Sequence, residues 1–123
     1  MAARILVVDD FQKIRSGVRS LLMSESVEIC GEAENGREAI ERVRELHPDL
    51  VILDIIMPVM NGIEAAHEIH RMSPSTKIVF FTIEDTPQAA AFARSIGVDG
   101  VVPKAAAGKE LIPTLRRLLE TEH

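Results

Sequence analysis

The sequence predicts one α/β domain built on a five-stranded parallel sheet with helices on both faces. Five short apolar runs occur along the 123 residues, and segments with apolar side chains three, four and seven positions apart lie between them. Nearly continuous apolar strands that alternate with helices are typical of a parallel sheet with right-handed crossovers. The strand candidates are Arg4–Val8, Val27–Glu32, Leu50–Leu53, Lys77–Phe81 and Gly100–Val102.

Residues at the predicted helix ends support this alternation. Asn35 with Glu38, and Asn61 with Glu64, have the spacing of an N-cap residue and a first-turn carboxylate. Gly97 is placed to end the fourth helix. No internal repeat or linker interrupts the pattern, so one domain is expected to fill residues 1–123.

Composition and charge exclude several classes of protein. Hydrophobic residues make up 46% of the chain, yet no apolar run approaches the roughly 18 residues of a membrane span, and the N-terminus does not resemble a secretory signal. The single cysteine, Cys30, excludes an internal disulfide and is consistent with a cytoplasmic protein. With a net charge of −5 and no basic patch, we expect no direct binding of nucleic acid by this chain.

Polar side chains collect at one edge of the predicted sheet. Asp9 and Asp10 end the first strand, Asp54 ends the third, Thr82 ends the fourth, and Lys104 follows the fifth. The carboxyl ends of parallel strands form the edge where open α/β sheets build their sites. We therefore expect these side chains to lie together although they are far apart in sequence.

This set of side chains suits phosphoryl transfer assisted by a divalent cation. Three acids in a small site repel one another, which raises the pKa of at least one of them. A hard cation such as Mg²⁺ stabilises the ionised forms and prefers carboxylate oxygens. Lys104 adds a charge suited to phosphate oxygens, and Thr82 adds a hydroxyl donor. The sequence thus predicts a phosphoryl-transfer pocket, in which positioning and charge neutralisation do most of the catalysis.

Four segments of the chain resemble the CheY-like receiver domain of two-component response regulators. They are "ILVVDD", "DLVILDIIMPVMNG", "IVFFT" and "GVDGVVPK". The resemblance extends over essentially the entire chain, and the segment "PKAAAGKELIPTLRRLL" is most similar to receivers that precede LuxR/NarL-type output domains. It implies a doubly wound, flavodoxin-like sheet with the strand order 2-1-3-4-5.

The resemblance also implies a role for the residues at the acidic edge. Asp54 would be the phosphoacceptor, which takes a phosphoryl group from a histidine kinase or a phosphotransfer protein. Asp10, Asp54 and the backbone carbonyl of Ile56 would bind Mg²⁺ or Mn²⁺. Asp9 would contribute through a water molecule or by orienting the cluster, so its metal contact would be indirect.

The resemblance further implies a switch that leads away from the site. Thr82 and Lys104 would contact the phosphoryl group and shift the balance between two packings of the fourth helix, fifth strand and fifth helix. That face would signal to an output domain outside this chain, to a second copy in a homodimer, or to another protein.

Three positions depart from the pattern of the family. Val101 stands where many receivers have an aromatic ring that turns inward, so coupling must run through a small β-branched side chain. Ile83 stands where a small residue is common, and with Ile56 it is expected to hinder the water that hydrolyses the acyl phosphate. Ala105 replaces a common proline, so a cis Lys–Pro bond cannot form.

Three functions are alternatives to that of a receiver. A flavin or nucleotide carrier needs a Gly- or Ser/Thr-rich loop after the first strand, where this chain has "DDFQK". A haloacid-dehalogenase-like phosphohydrolase needs D-x-D and a lid, whereas the acids here are adjacent. The remaining alternative is a pseudo-receiver, a docking or dimerisation module that is not phosphorylated, because Val101 and Ile83 depart from the pattern.

Overall fold

Five strands and five helices alternate along residues 2–83 and 86–120, the part of the chain that the computed structural model describes. Four of the five strands differ from the predicted ranges by one residue at one end, and the third strand agrees fully. The elements are β1 (Ala3–Val8), α1 (Gln12–Leu22), β2 (Val27–Ala33), α2 (Gly36–Leu46), β3 (Leu50–Leu53), α3 (Gly62–Met72), β4 (Lys77–Thr82), α4 (Pro87–Ser95), β5 (Gly100–Pro103) and α5 (Ala107–Glu120), with a 3₁₀ turn at Lys104–Ala106.

The strands form one sheet in the order β2-β1-β3-β4-β5, and every neighbouring pair is parallel. This order is that of a doubly wound, flavodoxin-like fold, so the predicted fold class and the implied strand order are both confirmed. All five strands end at the same edge of the sheet. Among the described residues, no helix is long and apolar enough to cross a membrane.

Two apolar layers cover the two faces of the sheet. Alternate side chains of a strand point to opposite faces, so that Val7 belongs to one layer and Val8 to the other. Helices α1 and α5 cover the first layer and bury Leu115, among others, while α2, α3 and α4 cover the second layer and bury Ile69. Burial on both faces explains why the strands have nearly continuous apolar sequences.

The predicted caps set the start of α2 and α3. The Asn61 side chain accepts a hydrogen bond from the Glu64 N–H at 2.9 Å, and the Glu64 carboxylate accepts from the Asn61 N–H at 3.3 Å. Asn35 likewise accepts from the Glu38 N–H at 2.9 Å, but the Glu38 carboxylate accepts from the Glu34 N–H. Both Asn-Gly pairs therefore begin helices, because their side chains satisfy N–H groups that lack a partner within the helix.

The loop between β3 and α3 contains a strained residue. Val59 has a φ angle of +68°, a left-handed conformation that branched L-residues avoid. Two other described residues have a positive φ: His47, which caps the end of α2 at +49°, and Gly97 between α4 and β5, which as a glycine adopts +91° without strain. The Val59 side chain is 71% exposed, so little packing offsets the strain. The neighbouring Met60 holds the loop in place, since its carbonyl accepts from the Gly36 N–H at 2.9 Å.

Replacement of Val59 by glycine should stabilise the protein. Relief of the left-handed strain is worth about 1–2 kcal/mol, and the greater entropy of the unfolded glycine chain offsets about half of it, which leaves a gain of roughly 0.5–1 kcal/mol in the free energy of unfolding. Urea unfolding of the two proteins measures this difference. Val59→Ala is the matched control and should lie between wild type and Val59→Gly; a glycine variant less stable than the alanine variant would contradict the strain.

Candidate functional site

The carboxyl edge of the sheet brings three carboxylates together. Asp9 and Asp10 directly follow β1, Asp54 directly follows β3, and these two strands are hydrogen-bonded neighbours. One oxygen of each carboxylate lies within 4.8 Å of one oxygen of each of the others. Asp9 and Asp54 are buried, and Asp10 is partly exposed. The acidic cluster predicted from the strand ends is therefore present in the structure.

Lys104 lies between two of these acids. It begins the 3₁₀ turn after β5, and its Nζ is 2.7 Å from Oδ2 of Asp9 and 3.3 Å from Oδ2 of Asp54. The lysine side chain is only 14% exposed. Burial opposes the ammonium charge, but the two carboxylates outweigh burial and raise the pKa of Lys104. The lysine is thus a fixed positive charge inside the acidic cluster.

Asp54 is the acid whose protonation is most affected by the site. Burial raises the pKa of its carboxyl group, the Asp9 charge raises it further, and Lys104 opposes both effects. Its backbone is fixed at the same time, because the Asp54 N–H donates to the Val8 carbonyl at 3.0 Å. The ionised form of Asp54 is therefore disfavoured in the metal-free protein but held in a defined position.

Asp9 and Asp10 have different surroundings although they are adjacent. Asp9 accepts a hydrogen bond on Oδ1 from the Phe11 N–H at 2.9 Å, and its Oδ2 faces Lys104. Oδ1 of Asp10 is also buried, yet no group of residues 2–83 and 86–120 donates a hydrogen bond to it. A buried carboxylate oxygen without a donor is unfavourable unless a cation binds it. The donor set and this oxygen both fit a hard divalent cation such as Mg²⁺.

The remaining predicted residues lie at the same edge or on the adjacent strand. Thr82 ends β4 and is fully buried, while Ile56 and Ile83 are 55% and 73% exposed in the loops after β3 and β4. Val101 pairs with Phe80 across β4 and β5 and packs against the layer beneath α2, α3 and α4. The contact of the Thr82 hydroxyl with a phosphoryl group and the ligand role of the Ile56 carbonyl stay predictions.

Gly62 allows α3 to begin directly against the acidic residue. Its N–H donates to the Ile55 carbonyl at 2.7 Å, and a Cβ atom at this position would lie 2.0 Å from the carbonyl oxygen of Asp54. No side chain can occupy that space without displacing the backbone. Residue 62 therefore has to be glycine for the loop to hold Asp54 in this position.

A partly buried ion-pair group lies beside the acids and was not predicted from the sequence. Arg15 donates from Nε to Oε1 of Glu32 at 2.7 Å and from Nη1 to the Asp9 carbonyl at 2.5 Å. Arg19 donates to the other Glu32 oxygen at 2.6 Å, and the two arginines, Arg19 foremost, lower the pKa of Glu32 against the effect of burial. The signal that could have identified this group is the position of its residues. Arg15 is in the first turn of α1 and Glu32 is near the end of β2, and both places are close to the acidic edge.

The fold and its acidic edge define an α/β domain of the CheY-like class, with a cluster of carboxylates and a lysine at the strand ends that is compatible with a divalent cation. The family model described as "Response regulator receiver domain" matches residues 5–116. The chain therefore belongs to the receiver domains of two-component response regulators, and the resemblance noted in the sequence is confirmed.

Individual relatives support the same assignment. The chain is 46% identical over 79 residues to the chemotaxis protein CheY of Thermotoga maritima, a match covering 64% of this chain and 66% of CheY. It is 36% identical over 125 residues to the response regulator protein VraR of Staphylococcus epidermidis, covering 99% of this chain and 59% of VraR. It superposes with a TM-score of 0.92 and 31% identity on a LuxR-family two-component response regulator from Aurantimonas, covering 98% and 87% of the two chains. The chain thus spans about three fifths of the VraR length.

Replacement of Asp54 by asparagine should stabilise the metal-free protein. The folded-state pKa of Asp54 is raised above its unfolded value, so the wild type loses stability as pH rises from the unfolded pKa through the folded one. Asparagine removes this loss, and we expect a gain on the order of 1 kcal/mol at pH 7 that shrinks toward acidic pH. Urea unfolding between pH 4 and 8 without divalent cations measures it.

The control for this prediction is Glu41→Gln, which removes one negative charge from an exposed position on α2. Its stability difference from wild type should be small and should not vary with pH in the same way. Saturating Mg²⁺ should narrow the gap between wild type and Asp54→Asn, because a cation that binds only the folded wild type stabilises it. An asparagine variant less stable than wild type at every pH would contradict the assignment.

Proposed function

We propose that this chain is the phosphoacceptor switch of a two-component phosphorelay and that Asp54 accepts the phosphoryl group. The observation that carries the proposal is the geometry around Lys104, whose Nζ lies 2.7 Å from Asp9 and 3.3 Å from Asp54. A fixed cation beside a buried carboxylate is placed to neutralise the charge that a phosphoryl group would bring. Membership of the receiver family supports the same assignment.

The reaction transfers phosphorus from nitrogen to oxygen. A carboxylate oxygen of Asp54 attacks the phosphorus of a phosphohistidine on a histidine kinase or a phosphotransfer protein. The new P–O bond forms as the P–N bond breaks, and the departing imidazole takes a proton from water. The product is an acyl phosphate on Asp54, with Lys104 next to its oxygens. The chain thus acts as a signalling domain that promotes its own modification and slowly loses the phosphoryl group by hydrolysis.

We assign the cation ligands to Asp10, Asp54 and the backbone carbonyl of Ile56. Mg²⁺ or Mn²⁺, when bound, supplies positive charge to the phosphoryl oxygens and to the crowded carboxylates. The unpartnered Oδ1 of Asp10 supports a direct contact. Oδ1 of Asp9 accepts from the Phe11 N–H, and its Oδ2, which accepts no hydrogen bond within the described residues, forms an ion pair with Lys104. These contacts support the indirect role for this acid.

We propose that the signal leaves through the face formed by α4, β5 and α5. Thr82 and Lys104 would move toward the phosphoryl group, and Val101 would transmit the change in place of an aromatic ring. Val101 is suited to this role because it packs on the core and also lines a concavity of about 440 Å³ on this face. Helix α4 is lightly anchored there, since Ala93 is buried while Phe92 is 48% exposed.

The recipients of the signal are proposed from the same face and from the relatives. Likeness to a LuxR-family regulator and the 59% coverage of VraR support an output domain outside this chain. A second copy docked on the same face, as a homodimer, is the other recipient. We place the reaction in the cytoplasm and assign no binding of nucleic acid or membrane to the domain itself, which we take to comprise residues 1–123.

Phosphorylation by a small donor tests the proposal directly. Incubation of the protein with Mg²⁺ and acetyl phosphate should add one phosphoryl group, measured by intact mass. Asp54→Asn should add none, and chelation of the cation should abolish the addition to wild type. Asp49→Asn is the matched control at the opposite edge of the sheet, where its side chain accepts from the Arg4 N–H, and it should be phosphorylated like wild type.

Two outcomes would count against the proposal. Addition to Asp54→Asn would move the phosphoacceptor to another residue. No addition to wild type, from acetyl phosphate or from phosphoramidate, would instead favour the pseudo-receiver that docks without being phosphorylated.

The lifetime of the acyl phosphate should depend on Ile83. Its branched apolar side chain lies in the loop directly after Thr82, where we propose that it hinders the attacking water. Ile83→Ala should accelerate loss of the label by up to about tenfold, which corresponds to about 1.4 kcal/mol in activation free energy. Met23→Ala removes an apolar side chain that is 81% exposed at the far end of α1, and it should leave the rate unchanged. Equal rates for wild type and Ile83→Ala would refute this role.

A further inference from the structure

Arg15 is bound to the backbone of the acidic site and not to its carboxylates. Its side chain is 13% exposed and is fixed by Glu32, whose carboxylate accepts from Nε at 2.7 Å and is itself held by Arg19. The direct bond to Oε1 of Glu32 is the anchor, and Arg19 contacts only the other oxygen of that carboxylate. From this anchored position Nη1 donates to the Asp9 carbonyl at 2.5 Å. A short contact from an anchored, nearly buried guanidinium restricts the direction in which that carbonyl can point.

The Asp9 carbonyl belongs to the peptide that carries the Asp10 N–H. Because a peptide unit is planar, the direction of this carbonyl also sets the direction of the Asp10 N–H and the starting point of its side chain. Strand β1 ends at Val8, and the last sheet-like contact is from the Asp9 N–H to the Ala33 carbonyl at 3.0 Å. Beyond that contact the sheet no longer orients the backbone, and the hydrogen bond from Arg15 to the Asp9 carbonyl does so instead.

Within the described residues, the Asp10 side chain has a buried oxygen with neither a hydrogen bond nor an ion pair, whereas the unbonded Oδ2 of Asp9 is paired with Lys104. Oδ1 of Asp10 is buried and accepts no hydrogen bond from the described part of the chain, so nothing on its own side chain holds it there. The position of the Asp10 carboxylate near Asp9 and Asp54 is therefore set by the backbone.

We infer that Arg15 is a positioning residue, which orients the Asp9–Asp10 peptide so that the Asp10 carboxylate faces a divalent cation. The inference rests on the proposed function in that it requires a cation at this site. Removal of groups that orient metal ligands typically weakens metal binding about 10- to 100-fold, and we expect an effect in this range.

Electrostatics alone predicts the opposite sign. Arg15 carries a positive charge near the acids, so its removal should strengthen cation binding if only Coulomb interactions matter. Arg19 provides the matched comparison, since it carries the same charge and donates its hydrogen bond to the same Glu32 carboxylate. The direction of the change in affinity therefore separates positioning from charge.

The experiment uses the full 123-residue chain and Mn²⁺ alone as the probe. The paramagnetic resonance signal of free Mn²⁺ gives the dissociation constant of Mn²⁺ for wild type, Arg15→Ala, Arg15→Lys and Arg19→Ala. Competition with Mg²⁺ gives the dissociation constant of Mg²⁺ for the same proteins. We expect the dissociation constant to rise at least about 10-fold in Arg15→Ala. It should also rise in Arg15→Lys, which keeps the charge but has a single ammonium in place of a two-pronged donor. Arg19→Ala should stay within about twofold of wild type.

A second measurement needs no metal. The amide chemical shifts of Asp9 and Asp10 in the metal-free protein should move in both Arg15 variants and remain unchanged in Arg19→Ala. If wild type binds neither cation, the proposed function fails. If wild type binds and Arg15→Ala binds as tightly or more tightly, the inference fails. Should Arg15→Ala not fold, wild-type affinity in Arg15→Lys would overturn the inference, and loss of the fold in both variants would make Arg15 a residue of stability alone.

Discussion

The placement of Lys104 between two buried carboxylates is the interaction on which the rest of the site depends. Buried carboxylates each carry a desolvation penalty of several kcal/mol, and only a close, well-placed partner offsets it. Lys104 reaches both Asp9 and Asp54, yet a single ammonium cannot balance three acids within 4.8 Å of one another. The site is therefore stable enough to form and still has an excess of negative charge, which is compatible with a divalent cation.

Three unfavourable features of the chain lie at this edge. The raised pKa of Asp54, the unpartnered oxygen of Asp10 and the left-handed backbone of Val59 all lie in loops that follow strands β1 and β3. The two apolar layers contain none of these features among their buried residues. A regular sheet packed on both faces thus supports a locally strained and charged edge, which is where binding energy from a ligand can be recovered.

Much of this arrangement could be predicted from the sequence, for an identifiable reason. Apolar runs locate the ends of parallel strands, and those ends must meet at one edge, so Asp9, Asp54 and Lys104 could be brought together without any coordinates. The different surroundings of Asp9 and Asp10 could not be predicted, because they depend on side-chain rotamers and on the Phe11 N–H. Nor could the contact of Arg15 with the Asp9 carbonyl be predicted, since no spacing rule reports how closely α1 approaches the end of β1.

Gly62 has a consequence for the direction of any rearrangement. The backbone of α3 lies against the backbone of Asp54 so tightly that not even a methyl group fits between them. A contact between two backbone segments is displaced less easily than a contact between side chains, because side chains can change rotamer. The β3–α3 loop next to Asp54 is therefore the rigid side of the site. In the proposed switch, a movement that starts at Asp54 would therefore be directed the other way, toward Thr82 at the end of β4 and Lys104 directly after β5.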